Sequence, residues 1–262
     1  EVGGSSFERK NKLILMPTTS GSGSELSHGS IITDQNKSIK TGLRGENVSA
    51  DIAIIDPEFT YTKPLKCTMI TGFDVLTHAI ETMTSKKSSQ YTDSFCKTAI
   101  KLVFKNLPKL HANINNINAR NEMAYASMIM GASLAISTTC LPHRMQYPIG
   151  GITDTPHALG LAAIYPAWMR HAIPFAPKKF ALGYNSIAKK KIDLNTEKNS
   201  LSFVNAVVSL LERIELKCSL NELGLKPKQI KLMITNISGN LETDPSFQSE
   251  KDIEKIYRDS FI

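Results

Sequence analysis

The sequence predicts a mainly helical protein, in which a small α/β part at residues 1–60 is followed by an all-helical domain at residues 61–262. Short apolar runs that end at a proline or a polar turn are typical of strands, and they lie before residue 60. From residue 68 onward, apolar residues recur with the spacing of buried helices. No internal repeat or long low-complexity segment interrupts this division.

The predicted strands lie near the amino terminus. Residues 13–16 form an apolar run that stops at Pro17, which favours a buried parallel strand. Residues 28–33 and 50–55 predict two further strands. The Gly/Ser/Thr turn at 18–24 has hydroxyl and N–H groups that suit a ribose or phosphate at the end of a strand. These residues taken alone favour an ordinary polar loop.

The rest of the chain is predicted to be helical. The main helices are predicted over 68–85, 91–105, 119–135, 159–173, 201–216 and 226–237. A last short helix is predicted over 252–260, with Ser249 as its N-cap. The asparagine-rich stretch 113–121 predicts a loop or a helix junction.

Composition and cysteine spacing argue against a membrane protein, a secreted protein and a nucleic-acid-binding protein. With 41% hydrophobic residues the 262-residue chain can bury a real core, but no window holds the roughly 18 apolar residues of a membrane span. No signal peptide is recognisable, and the four cysteines lack C-x-x-C spacing. We therefore expect a cytoplasmic protein with reduced thiols and no membrane partner. The net charge of +7 comes from dispersed lysines without interleaved aromatic residues, which predicts no nucleic-acid partner.

Asp74, His78, His143 and His157 predict a metal site. Asp74 and His78 lie one turn apart on the same face of a predicted helix, so both can reach one divalent cation. His143 and His157 add two imidazoles, each beside a proline or glycine element. Three nitrogens and one carboxylate oxygen suit Fe(II) or Zn(II) better than calcium or magnesium. Taken singly, each residue also fits a solvated helix face or a hydrogen-bonded histidine.

The context of these residues resembles a known family. Residues 72–81 (GFDVLTHAIE) resemble the G-x-D-A-L-x-H-A-I-E stretch of the iron-containing (group III) alcohol dehydrogenases. Residues 17–25 (PTTSGSGSE) are similar to that family's P-T-T-x-G-T-G-S-E, and residues 143–160 to its H-x-x-x-H-P-L-G-G…P-H-G block. Further matches, which extend the resemblance over nearly the whole chain, lie at 32–34 with Lys40, at 55–58 and at 252–257.

The resemblance implies a ligand set and a cofactor. The implied ligands of one catalytic Fe(II) or Zn(II) are Asp74, His78, His143 and His157. The implied contacts of a nicotinamide cofactor, NAD or NADP, are Thr18, Thr19, Ser22 and Lys40, although Lys40 taken alone favours a surface lysine. A small aldehyde or alcohol would lie between the metal in the helical domain and the cofactor on the α/β side. A homodimer is one expectation for the assembly.

The chain departs from the family pattern at two places. Tyr147 stands where the family usually has a histidine, one turn after the third ligand, so we expect either a catalytic hydrogen-bond donor or an aromatic that only lines the pocket. Phe73 and His171 are further pocket candidates, on proximity in the chain alone. Gly3-Gly4-Ser5 does not replace the family's G-G-G-S phosphate loop, because such a loop follows a strand and the given sequence has no room for one before Gly3. We therefore expect residues 1–60 to be the remnant of a nucleotide-binding domain.

The expected function is metal-dependent, NAD(P)-linked reduction of a small aldehyde, or oxidation of a primary alcohol. The Tyr-Pro-Ile sequence at 147–149 resembles family members that act on acidic substrates. Two alternatives from the same family are therefore a hydroxyacid–oxoacid transhydrogenase and a phosphonoacetaldehyde-type reductase. An alternative from another class is a non-catalytic metal-binding remnant. A G-G-G-S domain encoded upstream of Glu1 would argue against that last alternative.

Overall fold

The computed structural model describes residues 9–34, 39–190 and 197–262. Four short strands lie near the amino terminus of the described chain: β1 Ile14–Leu15, β2 Gly29–Asp34, β3 Ile39–Arg44 and β4 Ile52–Ala53. The α-helices of the described chain are α1 Leu65–Thr84, α2 Gln90–Ala112, α3 Ile117–Ile136, α4 Leu141–Thr153, α5 His157–Ala172, α6 Pro177–Asn185, α7 Glu197–Arg213, α8 Ile230–Thr235 and α9 Glu250–Asp259. The predicted fold class, a small α/β part followed by helices, is confirmed.

The strands form two separate two-stranded sheets. β1 pairs in parallel with β4, with Ile14 opposite Ile52, and β2 pairs antiparallel with β3. The prediction that the first strand is buried is wrong, because Ile14 is 53% exposed and Ile52 is 51% exposed. Burial of a strand depends on what packs over its sheet, and a short apolar run cannot report that. β3 was not predicted because Gly42 and two basic residues, Lys40 and Arg44, interrupt its apolar alternation.

Helix α1 lies at the centre of the helical core. Every residue from Gly72 to Thr84 is buried, and the helix packs against α2, α3, α5 and α6. A helix that is apolar all round is typical of a protein interior. The ionisable exceptions are Asp74, His78 and Glu81, which are buried on the same helix. Buried polar side chains of this kind need partners, so they mark the functional part of the core.

Three helices in the described chain continue through an internal proline; it is buried in α2 and α4, whereas Pro166 of α5 is half-buried. α2 was predicted to end at residue 105 but runs to Ala112 with Pro108 inside it, and α4 contains Pro148. An internal proline removes one backbone hydrogen bond and disturbs the preceding turn. Pro108 and Pro148 are buried among packed helices, and this tertiary packing outweighs the local preference.

The carboxyl-terminal helices differ from prediction in detail. α6 was not predicted, and the helix expected over 226–237 is a 3-10 turn at Pro227–Gln229 followed by the shorter α8. Ser249 is the N-cap of α9, as predicted, and its backbone N–H donates to the Asp252 carboxylate at 2.7 Å in a capping box.

No single helix in the described ranges has the length and hydropathy of a membrane span, although α3 and α4, which meet at 106°, reach that length and composition as a pair. All four cysteines are free, and Cys96 and Cys140 are buried.

Candidate metal centre

Three helices bring the four predicted ligands together. α1 carries Asp74 and His78 one turn apart, α4 carries His143, and His157 is the first residue of α5. The Nε2 atoms of His78, His143 and His157 lie 3.9, 3.8 and 3.8 Å from the Oδ1 atom of Asp74. Three imidazole nitrogens therefore surround one carboxylate oxygen at nearly equal distance.

These separations suit a shared cation better than direct hydrogen bonds. Hydrogen bonds to nitrogen are about 2.7–3.2 Å long, so none of the three nitrogens is bonded to Asp74. The Nε2 atom of His143 is buried and has no hydrogen-bond partner in the described chain. Tetrahedral ligation with bonds of about 2.1 Å places neighbouring donors about 3.4 Å apart. Asp74, His78 and His143 each offer a ligand atom within 4.8 Å of the other two, a set that suits Fe(II) or Zn(II), and His157 approaches this set through Asp74.

Two further residues orient the imidazoles. The Nδ1 atom of His143 lies 2.7 Å from Oε1 of Glu81, and Nδ1 of His157 lies 2.5 Å from Oε1 of Gln146. When each Nδ1–H donates to its acceptor, each Nε2 keeps its lone pair for a metal. The sequence did not identify these partners, although Glu81 stands only three residues after His78, within reach of the same helix face.

Burial governs the charge states at this centre. The fully buried position of Glu81 raises the pKa of its carboxyl well above the usual value, which the Cys140 N–H bond partly opposes. Burial lowers the pKa of His143 well below that of a free imidazole, and the neighbouring His78, His157 and Arg144 add to the effect. A neutral His143 is the form that ligates a metal.

The first turn of α4 is anchored by two buried carboxylates. Oε2 of Glu81 accepts from the Cys140 N–H at 2.7 Å, and Oδ2 of Asp244 accepts from the Leu141 N–H at 3.0 Å. Asp244 also accepts from the Trp168 indole N–H at 2.9 Å and from the N–H and hydroxyl of Ser246. These bonds fix the helix that presents His143.

An open cleft leads to the four ligands. Its lining in the described chain includes all four, together with Tyr147 and Ser22, and it extends past β1, β2 and the loop at 134–139. Tyr147 lies one turn after His143 on α4, as its spacing predicts, and is half-buried. Ser22 donates its hydroxyl to Ser24 at 3.0 Å.

The other predicted contacts lie elsewhere. Thr18 is exposed, and Thr19 lines a separate small pocket with Lys63 and Arg120. Lys40 belongs to β3, but its side chain is outside the part of the chain that the structure describes.

The two further pocket candidates do not line the described cleft. Phe73 is fully buried in the core, where its ring meets Tyr165 edge to face at 5.8 Å. His171 lies beside Asp252, with Nε2 and Oδ1 3.6 Å apart. Adjacency in the chain failed for Phe73 because successive helical residues point to different faces.

The sequence matches two family profiles. Residues 68–261 match the carboxyl-terminal part of the Fe-containing alcohol dehydrogenase family, and residues 3–57 match a profile described as iron-containing alcohol dehydrogenase. The first match covers most of the chain.

Individual relatives agree with these profiles. The chain is 33% identical to 1-propanol dehydrogenase PduQ of Salmonella typhimurium over 82% of this chain and 58% of the relative. It is 32% identical to a choline dehydrogenase of Bacillus subtilis over 94% of this chain and 60% of the relative. Among solved structures, 1,3-propanediol oxidoreductase superposes with a TM-score of 0.90 at 28% identity, over 95% of this chain and 66% of that one. The chain thus spans about three fifths of the length of the curated relatives it matches.

Proposed function

The chain belongs to the iron-containing alcohol dehydrogenase family, and from this we propose that it carries the metal centre of an NAD(P)-linked alcohol dehydrogenase or aldehyde reductase. The proposed ligands are Asp74, His78, His143 and His157. The observation that supports the proposal most is the convergence of three imidazole nitrogens on Oδ1 of Asp74, at 3.8–3.9 Å, inside an open cleft.

The donor set defines the chemistry available here. A metal held by three neutral imidazoles and one carboxylate acts as a Lewis acid towards a carbonyl or alcohol oxygen. Glu81 and Gln146 keep the Nδ1 protons of His143 and His157, so both Nε2 atoms face the cleft as lone-pair donors. Fe(II) and Zn(II) both fit this set, and we propose one of them.

The hydroxyl of Tyr147 is the proposed hydrogen-bond donor to substrate or ribose. It lines the cleft that contains the ligands, and a phenol hydroxyl can donate a hydrogen bond to an oxygen of a bound molecule. We therefore propose that Tyr147 positions the bound molecule and donates a hydrogen bond to it, at a position where the family usually has a histidine.

No side chain can carry a hydride, so the proposal includes a nicotinamide cofactor, NAD or NADP. Ser22 is a proposed contact of the nicotinamide cofactor, and its position in the lining of the cleft with the four proposed ligands supports this. Thr18, Thr19 and Lys40 remain proposed contacts on their motif positions alone. We further propose that residues 1–60 belong to the nucleotide-binding domain and residues 61–262 form the metal-binding domain. A homodimer and a cytoplasmic location complete the proposal.

The proposal is tested by reduction of butyraldehyde. Protein loaded with Fe(II) or Zn(II) should oxidise NADH or NADPH when the aldehyde is added, and treatment with a chelator should abolish the reaction. Restoring the metal should restore it. Turnover that survives complete metal removal would refute the proposal, and so would metal-loaded protein that binds both nicotinamide and aldehyde but transfers no hydride.

A further inference from the structure

Arg144 is a buried cation on the wall of the cleft. It follows His143 on α4, is 5% exposed and lines the cleft that contains the ligands. Its guanidinium donates to the hydroxyls of Thr139 at 2.9 Å and Thr138 at 3.4 Å. Within the ranges that the structure describes, no carboxylate oxygen lies within 4.0 Å of its nitrogens. A buried charge paired only with neutral hydroxyls lacks the partner that such groups normally have.

The nearby buried carboxylates interact with Arg144 only at a distance, and their oxygens accept hydrogen bonds from other donors. Oε1 and Oε2 of Glu81 are occupied by His143 and by the Cys140 N–H. Both oxygens of Asp244 are likewise occupied, by donors from Leu141, Trp168 and Ser246. Each carboxylate therefore has its own donors without Arg144, whose side chain lies along the cleft wall instead.

The charges along the cleft favour an anion. Besides Arg144, the described lining includes the exposed side chains of Arg44 and Lys87. Asp74 is the one acidic residue in that described lining, and it is a proposed ligand of the metal. A positive field in a partly enclosed cleft attracts and orients negatively charged ligands.

The guanidinium is held in a fixed place. Gly239, with φ +98°, packs against the stem of Arg144 so closely that an added Cβ would lie 2.9 Å from its Cδ and Nε atoms. Thr138 and Thr139 hold the outer nitrogens. A planar, pre-positioned fork of N–H donors matches the two oxygens of a carboxylate.

We infer that Arg144 is the specificity-determining residue of this cleft and that it binds an oxyanion carried by the substrate, a short alcohol or aldehyde with a terminal carboxylate. This inference rests on the proposed function for the reacting end of that molecule. Arg144 and the four ligands line the same cleft, so one substrate can contact both the guanidinium and the metal. The same cation disfavours a quaternary ammonium substrate, such as the one named for the Bacillus subtilis relative.

The experiment compares 4-hydroxybutyrate with 1-butanol, which have the same chain length with and without the carboxylate. Binding to the purified chain is measured by calorimetry, with and without Zn(II). Wild type should bind 4-hydroxybutyrate more tightly than 1-butanol. Arg144→Gln should weaken 4-hydroxybutyrate binding by roughly 10- to 100-fold, the range for hydrogen bonds to a charged group, and should leave 1-butanol unchanged. Arg144→Lys keeps the charge without the fork and should fall between. Arg258→Gln, which removes a guanidinium that pairs with Glu254 outside the cleft, is the matched control and should have little effect.

Several outcomes would overturn the inference. One is a wild type that binds both compounds equally, and another is an Arg144→Gln variant that keeps wild-type affinity for 4-hydroxybutyrate. Carboxylate binding that requires Zn(II) but not Arg144 would assign the anion to the metal. A loss of NADPH affinity in Arg144→Gln, with the preference between the two alcohols unchanged, would assign Arg144 to a cofactor phosphate. Failure of the proposed function is distinguishable, because carboxylate binding through Arg144 is measured without metal, cofactor or turnover.

Discussion

Glu81→Gln tests how the second layer of the site controls the metal. Glu81 is fully buried and its two oxygens accept from Nδ1 of His143 and from the Cys140 N–H, each at 2.7 Å. Glutamine has nearly the same shape but only one acceptor oxygen. If that oxygen keeps the Cys140 bond, the amide NH₂ faces His143 and donates to Nδ1. The imidazole proton then moves to Nε2, the atom that should bind the metal.

The expected loss follows from this tautomer change. Replacing an outer partner of a metal-ligating histidine typically weakens metal binding 10- to 100-fold, which is about 1.4–2.8 kcal/mol. The fold should survive, because Glu81→Gln removes a buried group whose charged form is disfavoured by desolvation. We expect weaker metal binding in a chain with normal secondary structure.

The assay is a competition titration of Zn(II) between the chain and a chromophoric chelator, with circular dichroism of the metal-free protein as the check on folding. Glu122→Gln is the matched control, because Glu122 is a carboxylate that accepts from Lys105 and Asn106 away from the site. The control should bind Zn(II) like wild type. A Glu81→Gln variant that also binds Zn(II) like wild type would refute the argument that Glu81 fixes the tautomer of His143.

Two further predictions concern Tyr147 and Asp244. In protein that binds nicotinamide, Tyr147→Phe should lower kcat about 10-fold or more while metal content stays unchanged, and Tyr147→His should retain activity. An unchanged kcat for Tyr147→Phe would show that Tyr147 only lines the pocket and has no catalytic role. Asp244→Asn should lower the free energy of unfolding by about 1–3 kcal/mol, because one oxygen of a four-donor acceptor becomes a donor. Trp168 is the one tryptophan of the sequence, so its indole N–H gives a single NMR resonance. That resonance should shift in Asp244→Asn and should not shift in the surface control Asp259→Asn. An unshifted resonance in Asp244→Asn would contradict the hydrogen bond between Trp168 and Asp244.

Local rules predicted the parts of the site that lie within one element. The Asp74 and His78 pair follows from helical spacing alone, and α1 places both side chains on one buried face. His143 and His157 reach the same point through the packing of α4 and α5 on α1, and spacing along the chain does not encode that. Their assignment at the sequence level depended on the family resemblance.

Three features of the structure depend on tertiary packing and could not be predicted from the sequence: the anchoring of α4, its continuation through a proline and the exposure of β1. Asp244 anchors α4 from a position 103 residues along the chain from Leu141, and no local pattern marks it. Pro148 is a helix breaker by local preference, yet packing carries α4 through it. The exposed Ile14 shows the reverse case, where an apolar run indicates a strand but not the surface that covers it.

The central claim, that Asp74, His78, His143 and His157 bind one metal, is tested most directly by elemental analysis of protein purified without chelator. We expect close to one equivalent of iron or zinc per chain in the wild type, and little in His143→Ala and His157→Ala. His171→Ala is the matched control, since His171 pairs with Asp252 outside the cleft, and it should keep its metal. Wild-type metal content in His143→Ala or His157→Ala would contradict the claim, and so would a wild-type protein that binds neither iron nor zinc.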